Sequence, residues 1–447
     1  MSGLPEFYYD AIKQGQYFRK IAYMHAKYGP VVRIGSDEIH VNDPKCIQDI
    51  YAGPGKVRDK YNFYTQQFGI PEASLTTPSH GLHRVRRAAI APFFSKRSVS
   101  SLEPVIVGLA EQLYLRLNSY AGTDQPVVLN DAFSCFATDV IMEYSFARSY
   151  GFLQNADFLP NLRNCLQGLM ISVHYVKHFP WVLNIMDILP MLFYSLILFA
   201  QDIKIQVNEL WTGQNTNFKT KDHPTIFHAL LNANAPASEK HPDRLWQEGF
   251  LVIGAGTETT AWILTTTMYY LIANPCAYNK LKQELLTEFP NISATPTIAV
   301  VDRLPFLIST AEGLRLGVGV SSRLQRISPT HPIRVGDWTV PPGTPVGMSS
   351  ILVHHNHQLF YKPYEFIPER WIENPKLDDY LLSFSKGSRQ CAGITLAYTE
   401  LRLVLATLIR RLDFTLFKTT VEDVALEHDL VTANAGLGSK GVRVLVK

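Results

Sequence analysis

A chain of 447 residues is long enough for two or three ordinary domains or one large one. With 46% hydrophobic and 18% charged residues it must bury a substantial core, and a net charge of only +3 gives no reason to expect nucleic acid as a partner. Its five cysteines, Cys46, Cys135, Cys165, Cys276 and Cys391, are widely spaced with no C-x-x-C pair, which argues for reduced thiols in a cytosol-facing setting and against a disulfide framework or structural zinc.

Met1–Lys20 is polar and aromatic, so no signal peptide or transmembrane leader is expected there. Residues 1–27 read as one helix ending at Tyr28-Gly29-Pro30. Val31–Ile34 and Glu38–Val41 flank Gly35-Ser36-Asp37 as a β-hairpin. A helix from about Pro44 leads into a Gly/Pro-interrupted stretch reaching Gly81, of the length that often forms a lid or binding loop. In the helix His80–Arg87, His83 and Arg87 are four apart and share a face. A basic helix of this kind is, taken alone, a solvated surface.

From Ser100 to about Asn234 the pattern is mostly helical, broken at Gly122-Thr123-Asp124 and Phe179-Pro180. The longest apolar run, Ile188–Ala200, has about 13 residues where a membrane span needs about 20, so it is either core or a shallow membrane contact. No repeat, low-complexity tract or linker divides the chain, and residues 1–447 read as a single domain.

Arg244–Ala273 reads as a long buried helix, apolar on most of its circumference. Its middle, Gly254-Ala255-Gly256-Thr257-Glu258-Thr259-Thr260, combines weak helix formers with a costly buried acid. Thr259 can bond back to the Ala255 carbonyl and open a notch, while Ala255 and Gly256 leave room for a ligand. After the amphipathic helix Ala277–Glu288, Phe306–Leu316 places Glu312 and Arg315 on one face, and Phe366–Trp371 supplies Arg370. A carboxylate between two arginine forks makes a strong buried network. Short strands are expected in Val320–Ser328 and Trp338–Val346, with a final hairpin from Leu430–Gly436 and Val442–Val446. His354, His355 and His357 read as a polar loop, since no carboxylate is spaced to complete a metal site.

The run Phe384-Ser385-Lys386-Gly387-Ser388-Arg389-Gln390-Cys391-Ala392-Gly393 sets one cysteine directly before an apolar helix starting near Ile394. A helix N-terminus lowers a thiol pKa, and the thiolate is the metal-binding form. Gly387 and Gly393 let the chain turn and a flat ligand approach the backbone. Phe384 can cover the sulfur, and Arg389 adds a cation nearby.

The spacing F-x-x-G-x-R-x-C-x-G resembles the haem-binding loop of the cytochrome P-450 monooxygenases. Ala255–Thr260 resembles that family's oxygen-activation motif, and Glu312/Arg315 with Pro368–Trp371 its E-x-x-R and P-E-R-W signatures. The likeness is closest to fungal, endoplasmic-reticulum-type, trichodiene-oxygenase-like members. It implies a mainly α fold with a minor β-rich part (α+β), and haem b between the long helix and the cysteine loop. Cys391 would be the axial ligand of the iron; Arg87, His83, Arg326 and Arg389 would meet the haem with Phe384, Gly387, Gly393, Ala255 and Gly256. Glu258 and Thr259 would relay protons, Glu312, Arg315 and Arg370 would be structural, and Val320 and Ser321 would line the substrate pocket. The implied activity is insertion of one oxygen atom from O2 into an apolar small molecule, a terpenoid or other secondary metabolite, with electrons from NADPH through a flavoprotein reductase docking near Cys391, helped by Lys386, Arg84 and Arg86. A haem-thiolate isomerase or dehydratase that does not use O2, or a haem-binding protein without turnover, is the alternative. With no transmembrane anchor expected in this chain, membrane contact would be peripheral.

Overall fold

The computed structural model describes residues 3–185, 190–233 and 235–447. Among the described residues helix dominates, with four small sheets. The expected helical stretch resolves into Lys96–Asn118, Leu129–Phe146, Pro160–His178, Pro190–Trp211 and Ile226–Asn232, and both expected breaks occur. Gly122 and Asp124 take φ of +71° and +54°, a conformation no helix continues. Asn234, and Ile188 and Leu189 of the apolar run, lie outside the described residues.

The central helix spans Pro242–Ala273. It starts on Pro242 with the His241 side chain accepting from the Asp243 N–H, and it packs most heavily on Leu129–Phe146. Gly256 sits at that crossing: a β-carbon there would lie 2.8 Å from the Ile141 side chain. The helix after the cysteine loop, Ile394–Arg411, packs on Lys96–Asn118. The cavity lies between these two layers.

The expected hairpin forms, with Val31 opposite Val41 and Arg33 opposite Ile39. It joins a five-stranded sheet ordered Val31–Arg33, Ile39–Val41, Pro345–Gly347, Arg326–Ile327, Asp59–Lys60. The last pairing sets Lys60 directly opposite Arg326.

Several expectations are corrected. The first 27 residues are not one helix: Gln14 and Gly15 turn the chain at φ of +54° and +81° before Tyr17–Tyr28. Gly15 packs so tightly on the Asp429 backbone that a β-carbon would lie 2.2 Å from its carbonyl oxygen. In Val320–Ser328 only Arg326–Ile327 is strand, because Leu324 takes φ +44°. The last hairpin pairs His428–Leu430 with Thr432–Asn434, whereas Arg443–Val446 pairs with Phe414–Leu416 and Val127–Val128. His354 is no loop residue but fully buried.

Candidate active site

A cavity of about 250 Å³ opens between the central helix and the cysteine loop, and Cys391 forms part of its wall. The loop turns through Gly387–Arg389, and the Cys391 N–H donates to the Phe384 carbonyl at 2.9 Å. The Gly393 N–H donates to the Cys391 sulfur at 3.3 Å, and Arg87 Nη2 donates to the Cys391 carbonyl at 3.1 Å. The thiol pKa is nevertheless raised, not lowered as the helix terminus suggested, because burial outweighs the Gly393 N–H and the Arg87 charge. An iron bound here would have to displace the thiol proton.

Phe384 reaches the cavity while leaning on the Tyr398 ring, centroids 5.3 Å apart. Ser385 occupies left-handed backbone at φ +56°, where glycine would be unstrained, and its hydroxyl accepts from Arg326 Nη2 at 3.1 Å. Gly393 lines the cavity; Gly387 does not. Gly387 has φ +74° and lies where a β-carbon would come within 2.2 Å of the Tyr51 carbonyl oxygen. Its smallness serves chain packing, not ligand approach. Gly387→Ala is expected to destabilise the protein by more than about 1 kcal/mol, read as a lower thermal midpoint with less haem bound.

Four cations, Lys60, Arg87, Arg326 and Arg389, line the cavity together with His83. Arg389 donates to the Arg58, Thr77 and Pro78 carbonyls, and burial pushes its pKa down to about 10. Arg326 is fully buried and donates to the Leu324 and Gln325 carbonyls. Lys60 gives a hydrogen bond to the Leu75 carbonyl, and burial with the Arg326, Arg389 and Arg87 charges drives its pKa well below the ordinary lysine range. His83 falls to about 2 by burial and the Arg389, Lys60 and Arg87 charges, so it is neutral. Buried cations held by carbonyls and one hydroxyl are costly unless an anion joins them. The two carboxylates of haem would supply that anion, and the Cys391 thiol in the same wall would supply a ligand for its iron. The residues present fit the group. Lys60 escaped the sequence reading, since only strand pairing brings it beside Arg326.

Across the cavity, Thr259 donates its hydroxyl to the Ala255 carbonyl at 2.7 Å, as expected, and both residues line the space. Glu258 does not. It faces a separate polar cavity of about 50 Å³ with Asn130, Gln167, Asp423 and Ser439. Val320 lines the main cavity, whereas Ser321 is buried behind it, its hydroxyl donating to Asp429 Oδ1 at 2.7 Å. Val431, at the hairpin turn with φ +73°, also reaches the cavity. Such a backbone is strained for a β-branched residue and is held by the Ser321 N–H on its carbonyl. Of the expected docking cations, Arg84 is exposed, but Arg86 is buried against Glu239 and Thr77.

Glu312 accepts from Arg315, Arg370, Trp371 and the Ile367 N–H, with Arg315 gripping both oxygens at 2.7 and 2.9 Å. Arg315 also donates to the His354 carbonyl at 2.7 Å. His354 Nε2 accepts from the Leu382 N–H at 2.8 Å, two residues before Phe384. The network therefore holds the entry to the cysteine loop.

A thiol and a dianion-seeking cluster on one wall, facing a notched helix on the other, define a haem-thiolate oxygenase. The chain belongs to the cytochrome P450 family, whose model matches residues 7–438. It is 40% identical to the cytochrome P450 monooxygenase tpcC of Cochliobolus heterostrophus, covering 99% of this chain and 89% of that protein. It is 38% identical to the tryptophan 6-hydroxylase fscE of Fusarium equiseti, over 99% and 89%, and 37% identical to the N-acetyltryptophan 6-hydroxylase ivoC of Emericella nidulans, over 99% and 90%. It is a monooxygenase with haem b as its cofactor. Among the described residues no helix is long and apolar enough to cross a membrane.

Proposed function

We propose that this monooxygenase hydroxylates or epoxidises an apolar small molecule of secondary metabolism, either a terpenoid or an indole-bearing compound, with electrons passed from NADPH by a flavoprotein reductase. The indole reading draws on the two tryptophan-type hydroxylases among its relatives. Leu251, Val252, Ile263, Val320 and Val431 make the cavity wall apolar, and the Tyr64–Phe68 ring pair, centroids 5.9 Å apart, suits a flat substrate.

The observation that carries the reading is the Thr259 hydroxyl, parked on a helix carbonyl at the cavity wall opposite Cys391. Haem held by Cys391, Arg87, Arg326, Arg389 and Lys60 supplies the reductive activation of O2. Thr259 can turn from the Ala255 carbonyl to hold a water or pass a proton into the cavity, while the apolar wall keeps bulk water out. Glu258, in its own polar cavity, exchanges protons with solvent on the outer face of the helix. Arg84 and Lys386 flank the docking face for the reductase. Peripheral contact with the endoplasmic reticulum membrane suits exposed Leu4, Tyr8, Phe179 and Trp181, which Phe7 joins into one surface through its edge contact with Phe179.

Thr259→Ala tests this. It removes the hydroxyl but keeps a good helix former, so haem content should persist. With purified reductase, NADPH use is expected to continue while product per NADPH falls by about a hundredfold and hydrogen peroxide rises, at the low end of the 10²–10⁴ range of general acid catalysis. Thr259→Ser should keep most coupling. Full coupling in Thr259→Ala would remove oxygen activation from this helix and favour the O2-independent alternatives.

A further inference from the structure

Asp429 is buried in the first strand of the last hairpin, behind the main cavity, and has no part in the chemistry described so far. Its Oδ1 accepts three donors: the Ser321 hydroxyl at 2.7 Å, the Ser322 hydroxyl at 3.1 Å and the Val431 N–H at 3.3 Å. Val320, next to the first of these serines, and Val431, at the hairpin turn, both line the cavity. One carboxylate therefore grips two segments, distant in sequence, that each present a valine to the same space. We infer that Asp429 is a positioning residue that fixes the gap between Val320 and Val431, and so sets the width of substrate the cavity accepts. This deepens the monooxygenase reading above and rests on it.

The backbone joins the two segments by a thin seam. Val320 and Thr432 form an isolated bridge, the Ser321 N–H donates to the Val431 carbonyl at 3.0 Å, and the Ala433 N–H donates to the Gly319 carbonyl at 3.0 Å. Two such bonds leave the turn able to rock about the seam. Val431 gains by rocking, because φ +73° is strained for a β-branched residue, and strain of this kind persists only where the surroundings over-determine it. Asp429 supplies the missing constraint. A carboxylate oxygen has the lone pairs to take several donors at once, so it can hold the turn N–H and the hydroxyls of the facing segment together. The backbone of Asp429 is anchored in turn: its N–H donates to the Gly15 carbonyl at 2.8 Å, and its carbonyl accepts from His174 Nε2. The acid thus ties the turn to fixed points outside the cavity while touching no substrate itself.

Nitrogen ligands of haem iron read the width of the cavity without turnover. The haem-loaded parent and variants are titrated with imidazole and with 4-phenylimidazole, followed by the haem absorption band. Asp429→Ala should bind 4-phenylimidazole about tenfold more weakly, the low end of what a methylene-sized misfit in an apolar pocket is worth, and should bind imidazole as the parent does. Asp429→Asn keeps an acceptor oxygen and should restore the parent affinity. Glycine adopts a positive φ without strain and presents no side chain, so Val431→Gly leaves the clamp nothing to hold. Adding Asp429→Ala to Val431→Gly should then change 4-phenylimidazole affinity by less than about twofold. A general loss of stability would instead weaken both ligands and persist in the Val431→Gly background. If Asp429→Ala loses its haem, the combined Ser321→Ala and Ser322→Ala variant carries the same arms. Parent affinity for 4-phenylimidazole in Asp429→Ala, an equal loss for imidazole, no rescue by Asp429→Asn, or an undiminished effect in the Val431→Gly background would overturn the inference. The Thr259→Ala result tests the underlying reading separately.

Discussion

Glu312→Ala is expected to give almost no haem-loaded protein. The carboxylate is fully buried and takes hydrogen bonds from two guanidinium groups, one indole and one backbone N–H. Deleting it strands Arg315, itself fully buried, beside Arg370 with no anion between them. Breaking a buried pair in this way costs roughly 3–5 kcal/mol, a large share of the roughly 5–15 kcal/mol that holds a domain together. The damage reaches the cofactor site by a traceable path, from Arg315 to His354 to the Leu382 N–H at the start of the cysteine loop. Glu312→Gln keeps the shape and one acceptor oxygen, so it should fall between the two. Haem per polypeptide and the thermal midpoint read this directly. Parent haem content and midpoint in Glu312→Ala, with turnover lost, would move Glu312 from the scaffold into the chemistry.

Cys391→Ser is expected to lose turnover entirely and to hold haem only through the cation cluster. Serine keeps the size of the side chain and the Gly393 N–H contact. Its hydroxyl, however, is far harder to deprotonate than a thiol that burial already holds in the protonated form, so no anionic ligand faces the iron. The other described cysteines cannot take over. Cys46 and Cys135 are buried elsewhere, the Cys135 thiol donating to the Phe158 carbonyl, and Cys276 opens the helix Pro275–Glu288. Serine at any of these three should leave ligation as in the parent, measured by haem content and product formed.

The chemistry was legible where it lies on one short segment. The Thr259 bond to Ala255 is local and appears as the residues suggested; in the cysteine loop Phe384, Cys391 and Gly393 line one cavity as expected, whereas Gly387 packs on the Tyr51 backbone and the thiol pKa rises. What was hidden is what the chain assembles from afar. Lys60 joins the cations only because strand pairing sets it against Arg326. Gly256 reads equally well as room for a ligand or for a crossing helix, and Ile141, on another helix, fills that room. Adjacent helical residues point about 100° apart, and here that offset turns Glu258 away from the cavity that Thr259 lines. The structure places them in separate cavities. His354 illustrates the same limit: three nearby histidines look like a polar loop until burial and the Leu382 N–H show one of them to be a strut.

The central claim is that Cys391 places an anionic sulfur on the haem iron while the four cations of the cavity wall take up the haem carboxylates. The absorption spectrum of the reduced, carbon monoxide-bound protein tests it most directly. The account predicts the far red-shifted Soret band of thiolate ligation in the parent and its loss in Cys391→Ser. The unshifted band of a neutral ligand in the parent, or a thiolate band that survives Cys391→Ser and disappears when another cysteine is changed, would contradict it.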